Sequence, residues 1–182
     1  MSKTKKIIST AVCIAMCVVL PIALHAIPNA ANLFSPMHIP VFLCALMCGS
    51  VWGAVCGFMG PLLSSVITQM PPMAILPSMM AELAVYGFVC GLLMKYVRSG
   101  KLYADIYISL GTSMIVGRIV AGIMKALIFS AGSYSLSAWV SAYFVGTLPG
   151  IIVHLVLVPA VYAALKKAKL IPEKYGAKRE GQ

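Results

Sequence analysis

Three charged side chains stand inside otherwise apolar stretches: Glu82, Arg118 and Lys125. A charge at the bilayer centre costs at least ~2.5–3.5 kcal/mol even on the lenient insertion scale. Arg118 and Lys125 lie seven residues apart in VGRIVAGIMKALIF, so on a helix they share one face. Such a set suits recognition more than bond-making. The cations can meet an anion, and the carboxylate can meet a cation, a hydroxyl or an amide. Tyr86 follows Glu82 by one turn. Trp139, Tyr143, Gly146, Gly150 and His154 recur at spacings of four, three, four and four. That is one helical face, running from aromatic through bare backbone to imidazole.

The elements that must position these groups are membrane helices. Of 182 residues, 61% are hydrophobic and only 10% charged. A soluble domain carries about 25% charged residues. The expected fold is all-α, an integral membrane bundle with no length to spare for a soluble catalytic domain. Apolar runs fall at about 6–28, 38–50, 51–68, 77–97, 105–130 and 136–165. The N-terminal MSKTKKIISTAVCIAM begins like a signal peptide, but its apolar run continues to about Ile27, which reads as a retained first helix. Only Gly49-Ser50 and Trp52-Gly53 separate the second and third runs, so 38–68 could also be one long helix. Charge decides between five spans and six. With six, every cation except Arg118 and Lys125 falls on one side, together with both termini and the 98–104 loop. Five spans would scatter them, against the positive-inside rule. The sequence therefore predicts six transmembrane helices with both termini cytoplasmic: one domain over 1–170 and a basic cytoplasmic tail over 171–182. The formal charge of +10 then reflects topology and contact with anionic lipid, not nucleic acid.

The loops on the other side, IPNAANLFSPMHIP, TQMPPMAILP and SAGSYSLS, hold no Asp, Glu, Lys or Arg. They can be compact lids stiffened by proline, or plain connectors. Glycines recur four apart at Gly49, Gly53 and Gly57 and at Gly87 and Gly91. Gly117 and Ala121, and Gly146 and Gly150, repeat the spacing. Small residues so placed let helices approach closely in lipid. Cys13 and Cys17, and Cys44 and Cys48, are spaced i,i+4 with no His or acid to complete a metal site, so they read as packing residues. No metal or cofactor is expected.

At ~1.5 Å per residue, Glu82 and Lys125 both sit ~8 Å in from the outer side, and Arg118 lies two turns deeper. Asp105, Glu173 and Glu180 fall on the cytoplasmic side. One reading is a Glu82–Lys125 ion pair that fixes helix register, with Tyr and Trp as an interfacial belt. The other is a polar pocket open to the outside, in which Arg118 recruits a bound anion, water or carbonyl groups. Its ligand would be small and carry a carboxylate or similar anion. Lys125 or Arg118 would meet the anion, Glu82 a hydroxyl or amide, and Trp139 or Tyr143 an apolar part. Tyr86 belongs to the same set, with Asn32 and His38 as loop candidates at the rim.

An intramembrane hydrolase would draw on Ser64, Ser65, Glu82 and His154, but no Gly-x-Ser-Gly and no HExxH occurs. A passive small-solute facilitator would need a continuous polar path, and the inner half offers little beyond His154. No Gly-x-x-x-x-Gly-Lys-Ser/Thr stretch is present to bind ATP.

The chain resembles, over essentially its whole length, the substrate-binding (S) components of energy-coupling-factor vitamin transporters. The resemblance rests on length, topology, the AVCIA of Ala11 to Ala15 as the family's AxxxA, and SPMHIPVFLCALMCGSVWGAVCGFMGPLLSS. The last stretch looks like the pantothenate and pyridoxine-type branch. The resemblance implies a bacterial plasma-membrane protein that binds a water-soluble vitamin from outside. It also implies docking through the Ala11/Ala15 face on a transmembrane coupling subunit with two ATPases, and toppling to release the vitamin inside. Pantothenate, a carboxylate with hydroxyls and an amide, suits the cation-rich pocket. Pyridoxine, hydroxymethylpyrimidine, riboflavin, folate and niacin types share the architecture.

Overall fold

The computed structural model describes residues 1–24, 35–129, 141 and 146–171, of which 127–129 are described by their backbone alone. These form six helices in chain order: α1 Lys3–Leu24, α2 His38–Cys48, α3 Ser50–Thr68, α4 Leu76–Tyr96, α5 Leu102–Phe129 and α6 Leu148–Lys167. Five are long and apolar enough to cross a membrane, and α2 is the exception at 11 residues. A helix of that length is ~16 Å long, against a hydrocarbon core of ~30 Å. A chain with several such helices is a multi-pass membrane protein.

α2 is hydrophobic all round and is buried accordingly. Every residue from His38 to Leu46 is buried, and α1, α3, α4 and α6 all pack on it. The break after α2 is the one expected at Gly49, whose φ of +98° lies where only glycine is at ease. Gly49 there lets α3 turn back beside α2.

α3 and α4 then run antiparallel at very short range. A Cβ on Gly53 would stand 2.6 Å from the Gly87 carbonyl oxygen, and one on Gly57 would strike the Leu83 carbonyl. Gly87 and Gly91 reciprocate against Gly53 and Ser50. The repeating glycines thus serve the bundle's own packing, as small residues do where lipid offers no hydrophobic drive. The cysteine pairs also pack internally. Cys13, Cys17, Cys44, Cys48 and Cys56 share one buried cluster between α1, α2 and α3. The Thr10 hydroxyl lies 3.5 Å from Cys44 Sγ at its edge. Among the described residues, no group of three or more His, Cys, Asp or Glu is arranged to hold a metal.

α6 departs from the sequence expectation. It begins at Leu148, and Gly146 and Thr147 form a turn ahead of it. Pro149 in its first turn favours this start, because proline lacks the N–H and fits best where a helix begins. Gly146 is therefore not on the α6 face, whereas Gly150 and His154 are, both buried. Trp139 and Tyr143 lie outside the described residues.

Candidate functional site

A cavity of about 630 Å³ opens at the end of the bundle where α2 and α4 begin and α3 ends. Glu82 from α4, Arg118 and Lys125 from α5 and His38 from α2 all line it. Ser35 to Met37, the Gln69–Pro72 segment and the Gly146–Thr147 turn close its sides. The volume suits a small molecule, since ligand sites span ~300–1,000 Å³.

Glu82 is held from below. The Tyr86 hydroxyl donates to Glu82 Oε1 at 2.6 Å, a short charge-assisted bond along one helical turn. The Arg118 guanidinium reaches the same hydroxyl, and Glu82 feels both Arg118 and Lys125 electrostatically. Tyr86 is fully buried and does not line the cavity, so it supports Glu82 from underneath. Its ring rests on Gly117, where any side chain would collide with it. This is the local reason for a glycine beside Arg118.

The floor is aromatic. His38 stacks on His154 with centroids 5.2 Å apart at 15°. Phe42 lies 5.4 Å from Tyr86 and 5.9 Å from His154, and His38 lies 5.3 Å from Tyr86. Both imidazoles point a nitrogen at one acceptor, the Ser35 carbonyl: His38 Nδ1 at 3.1 Å and His154 Nε2 at 3.2 Å. A carbonyl only accepts, so each of those nitrogens carries a proton, which fixes both tautomers. The His38 backbone N–H donates to the same oxygen at 3.0 Å. Ser35 holds this position with φ of +43°, a left-handed conformation unusual for serine. Five groups from α2, α4, α6 and the preceding segment thereby form one rigid base.

His38 is thus no rim residue. It is the first residue of α2, 8% exposed, and built into the floor. His154 was legible from sequence as a buried imidazole but not as its stacking partner. Ser35 carried no signal, because it acts through a backbone carbonyl. Asn32, like Trp139 and Tyr143, lies outside the described residues. Ala11 and Ala15 are far from the cavity, exposed on one face of α1.

The hydrolase parts are not assembled. The Ser64 and Ser65 hydroxyls donate to the Met70 and Pro71 carbonyls at 2.7 and 2.8 Å, holding the α3–α4 connection. Among the described residues, neither serine meets an imidazole.

A helical membrane bundle with a cavity of this size, lined by three charged side chains, fits the class of membrane proteins that hold a small solute. The family model for the ECF transporter, substrate-specific component, matches residues 5–162, and the chain belongs to that family. It is accordingly the substrate-specific subunit of an ECF importer, a membrane-embedded transporter subunit and not an enzyme. Members bind a small-molecule substrate and work with an ECF module in the membrane. No curated protein and no solved structure matches the chain significantly.

Proposed function

We propose that the cavity binds a small water-soluble vitamin bearing a carboxylate or similar anion, with pantothenate the favoured ligand. The observation that carries this reading is the lining. Arg118 and Lys125 from α5 and Glu82 from α4 converge on one cavity. Two cations against one carboxylate leave a net positive site for an anion. Glu82 takes a hydroxyl or amide of the ligand, and His38, backed by the rings beneath it, meets its apolar part. Asn32, Trp139 and Tyr143 complete the site from the neighbouring segments.

On the six-span reading, with the short α2 counted as one of the six, both termini and the basic tail lie in the cytoplasm of a bacterial cell and the cavity faces outward. The vitamin enters from outside. The subunit then docks its Ala11/Ala15 face on a transmembrane coupling subunit that carries two ATPases. Both alanines are exposed on α1, as a docking face requires.

The test is thermal stabilisation of the detergent-purified protein against a vitamin panel. A ligand at 100 times its Kd adds ~2.7 kcal/mol. A large shift with pantothenate alone is expected. A shift with a neutral or cationic vitamin instead would overturn the anion site.

A further inference from the structure

The opposite end of the bundle holds a second recess, of about 510 Å³, and its construction follows from the shortness of α2. Ser50, the first residue of α3, packs against Gly91, whereas α4 continues five residues further to Tyr96. The α2–α3 corner therefore stops ~7 Å short of the end of α4. The corner forms a floor, and α1, α4 and α6 form walls around it.

That floor is the N-terminus of a 19-residue helix. No side chain caps it, and the first ladder bond runs from the Gly53 N–H to the Gly49 carbonyl. The amides of Ser50, Val51 and Trp52 precede that bond and lack an intrahelical acceptor. A second, independent feature stands in the wall. Tyr162 lines the recess, is 3% exposed, and makes no hydrogen bond to the described residues. Its ring is buried while its hydroxyl oxygen keeps access to the recess, so the phenol has a donor to offer there. Lys6 from α1 and Lys95 from α4 also line the recess, and among the described residues no carboxylate does. The last carbonyls of α2 sit nearby, but a helix end amounts to about half a charge, and two ammonium groups outweigh it.

We infer that this recess binds a phosphate group, held by the α3 amides, Lys6, Lys95 and the Tyr162 hydroxyl. Helix N-termini take phosphate through this combination of free amides and favourable dipole. The group can belong to an anionic phospholipid headgroup or to free phosphate. The site is separate from the cavity at the other end and does not depend on which solute that cavity holds.

The test uses the full chain, delipidated in neutral detergent. Dioctanoyl phosphatidylglycerol, dioctanoyl phosphatidylcholine and inorganic phosphate are titrated separately, and melting temperature is read. Phosphatidylglycerol should stabilise well above phosphatidylcholine. Stabilisation by inorganic phosphate as well would identify free phosphate as a sufficient ligand, and its absence would identify the headgroup. Each lysine removed, as Lys6→Gln or Lys95→Gln, should weaken the apparent affinity about fivefold. Tyr162→Phe keeps the packing and should weaken it by about threefold to tenfold. Equal response to both lipids with none to phosphate, or unchanged affinity in the folded Tyr162→Phe and Lys95→Gln variants, would overturn the assignment.

Discussion

Gly117→Ala places a methyl group where the Tyr86 ring now lies, against its Cδ1 and Cε1 edge. The ring cannot retreat freely, because Tyr86 is fully buried with Phe42 and His38 each within 5.4 Å, centroid to centroid. It must tilt, which draws its hydroxyl off Glu82. Overpacking of this kind costs ~1–3 kcal/mol. A hydrogen bond to a charged group contributes ~1.5–3 kcal/mol, so the variant should lose ~2.5–6 kcal/mol if both are forfeited. Equilibrium unfolding in mixed micelles reads this directly. The decisive comparison is the same change in a Tyr86→Ala background. There the ring is gone, and alanine should recover part of the ~0.5–1 kcal/mol that separates it from glycine in a helix. The gain is partial because the new Cβ still sits 3.2 Å from the Glu82 carbonyl oxygen. The cost should therefore fall to near zero or reverse sign. An equal penalty in both backgrounds would refute the claim that Gly117 is a glycine because of Tyr86.

Arg118→Ala and Lys125→Ala should each weaken binding of an anionic vitamin by at least tenfold while the unliganded protein remains folded. Isothermal titration beside circular dichroism checks this, and unfolding with unchanged affinity would return both residues to a structural role. Ala11→Trp and Ala15→Trp should leave vitamin affinity intact and abolish co-purification with the coupling subunit; intact assembly would remove α1's exposed face from the docking surface. His154→Phe keeps a ring against His38 and Phe42 but loses the bond to the Ser35 carbonyl, for a cost of ~0.5–1.5 kcal/mol. A loss beyond ~3 kcal/mol would mean the imidazole does more than tie Ser35 to α6. Gly57→Leu drives a side chain into the α4 backbone at Leu83 and should prevent folding, as judged by expression and monodisperse elution.

What the sequence carried was local. The break at Gly49-Ser50 is read from charge, because two helices instead of one put the cations on one side, and the break is there with Gly49's left-handed φ. Glu82, Arg118 and Lys125 stood out because charge in an apolar run is costly, and the fold brings all three to one cavity. The sixth apolar run was read as one helix through Gly146. Pro149 starts that helix later, and the apolar pattern outweighed the proline in the reading. His38 looked like a loop residue, because nothing in SPMHIP reveals that an imidazole 116 residues away will stack on it. The Ser35 carbonyl was invisible for a deeper reason: every residue has one, and only tertiary placement makes it an acceptor for two rings. The same holds for the second recess, which arises from unequal helix lengths and not from any motif.

The burial of every cysteine has a practical consequence. All six are free thiols enclosed in the bundle, and Cys17, Cys44, Cys56 and Cys90 have no exposed surface. Enclosed thiols of this kind are inert to soluble reagents. The natural chain is thus already a silent background for maleimide chemistry. One cysteine introduced at the exposed Met73, next to the cavity-lining Pro72, would be the sole reactive handle. A spin or fluorescent label there could test whether this subunit changes its tilt during transport, without removing a single native cysteine.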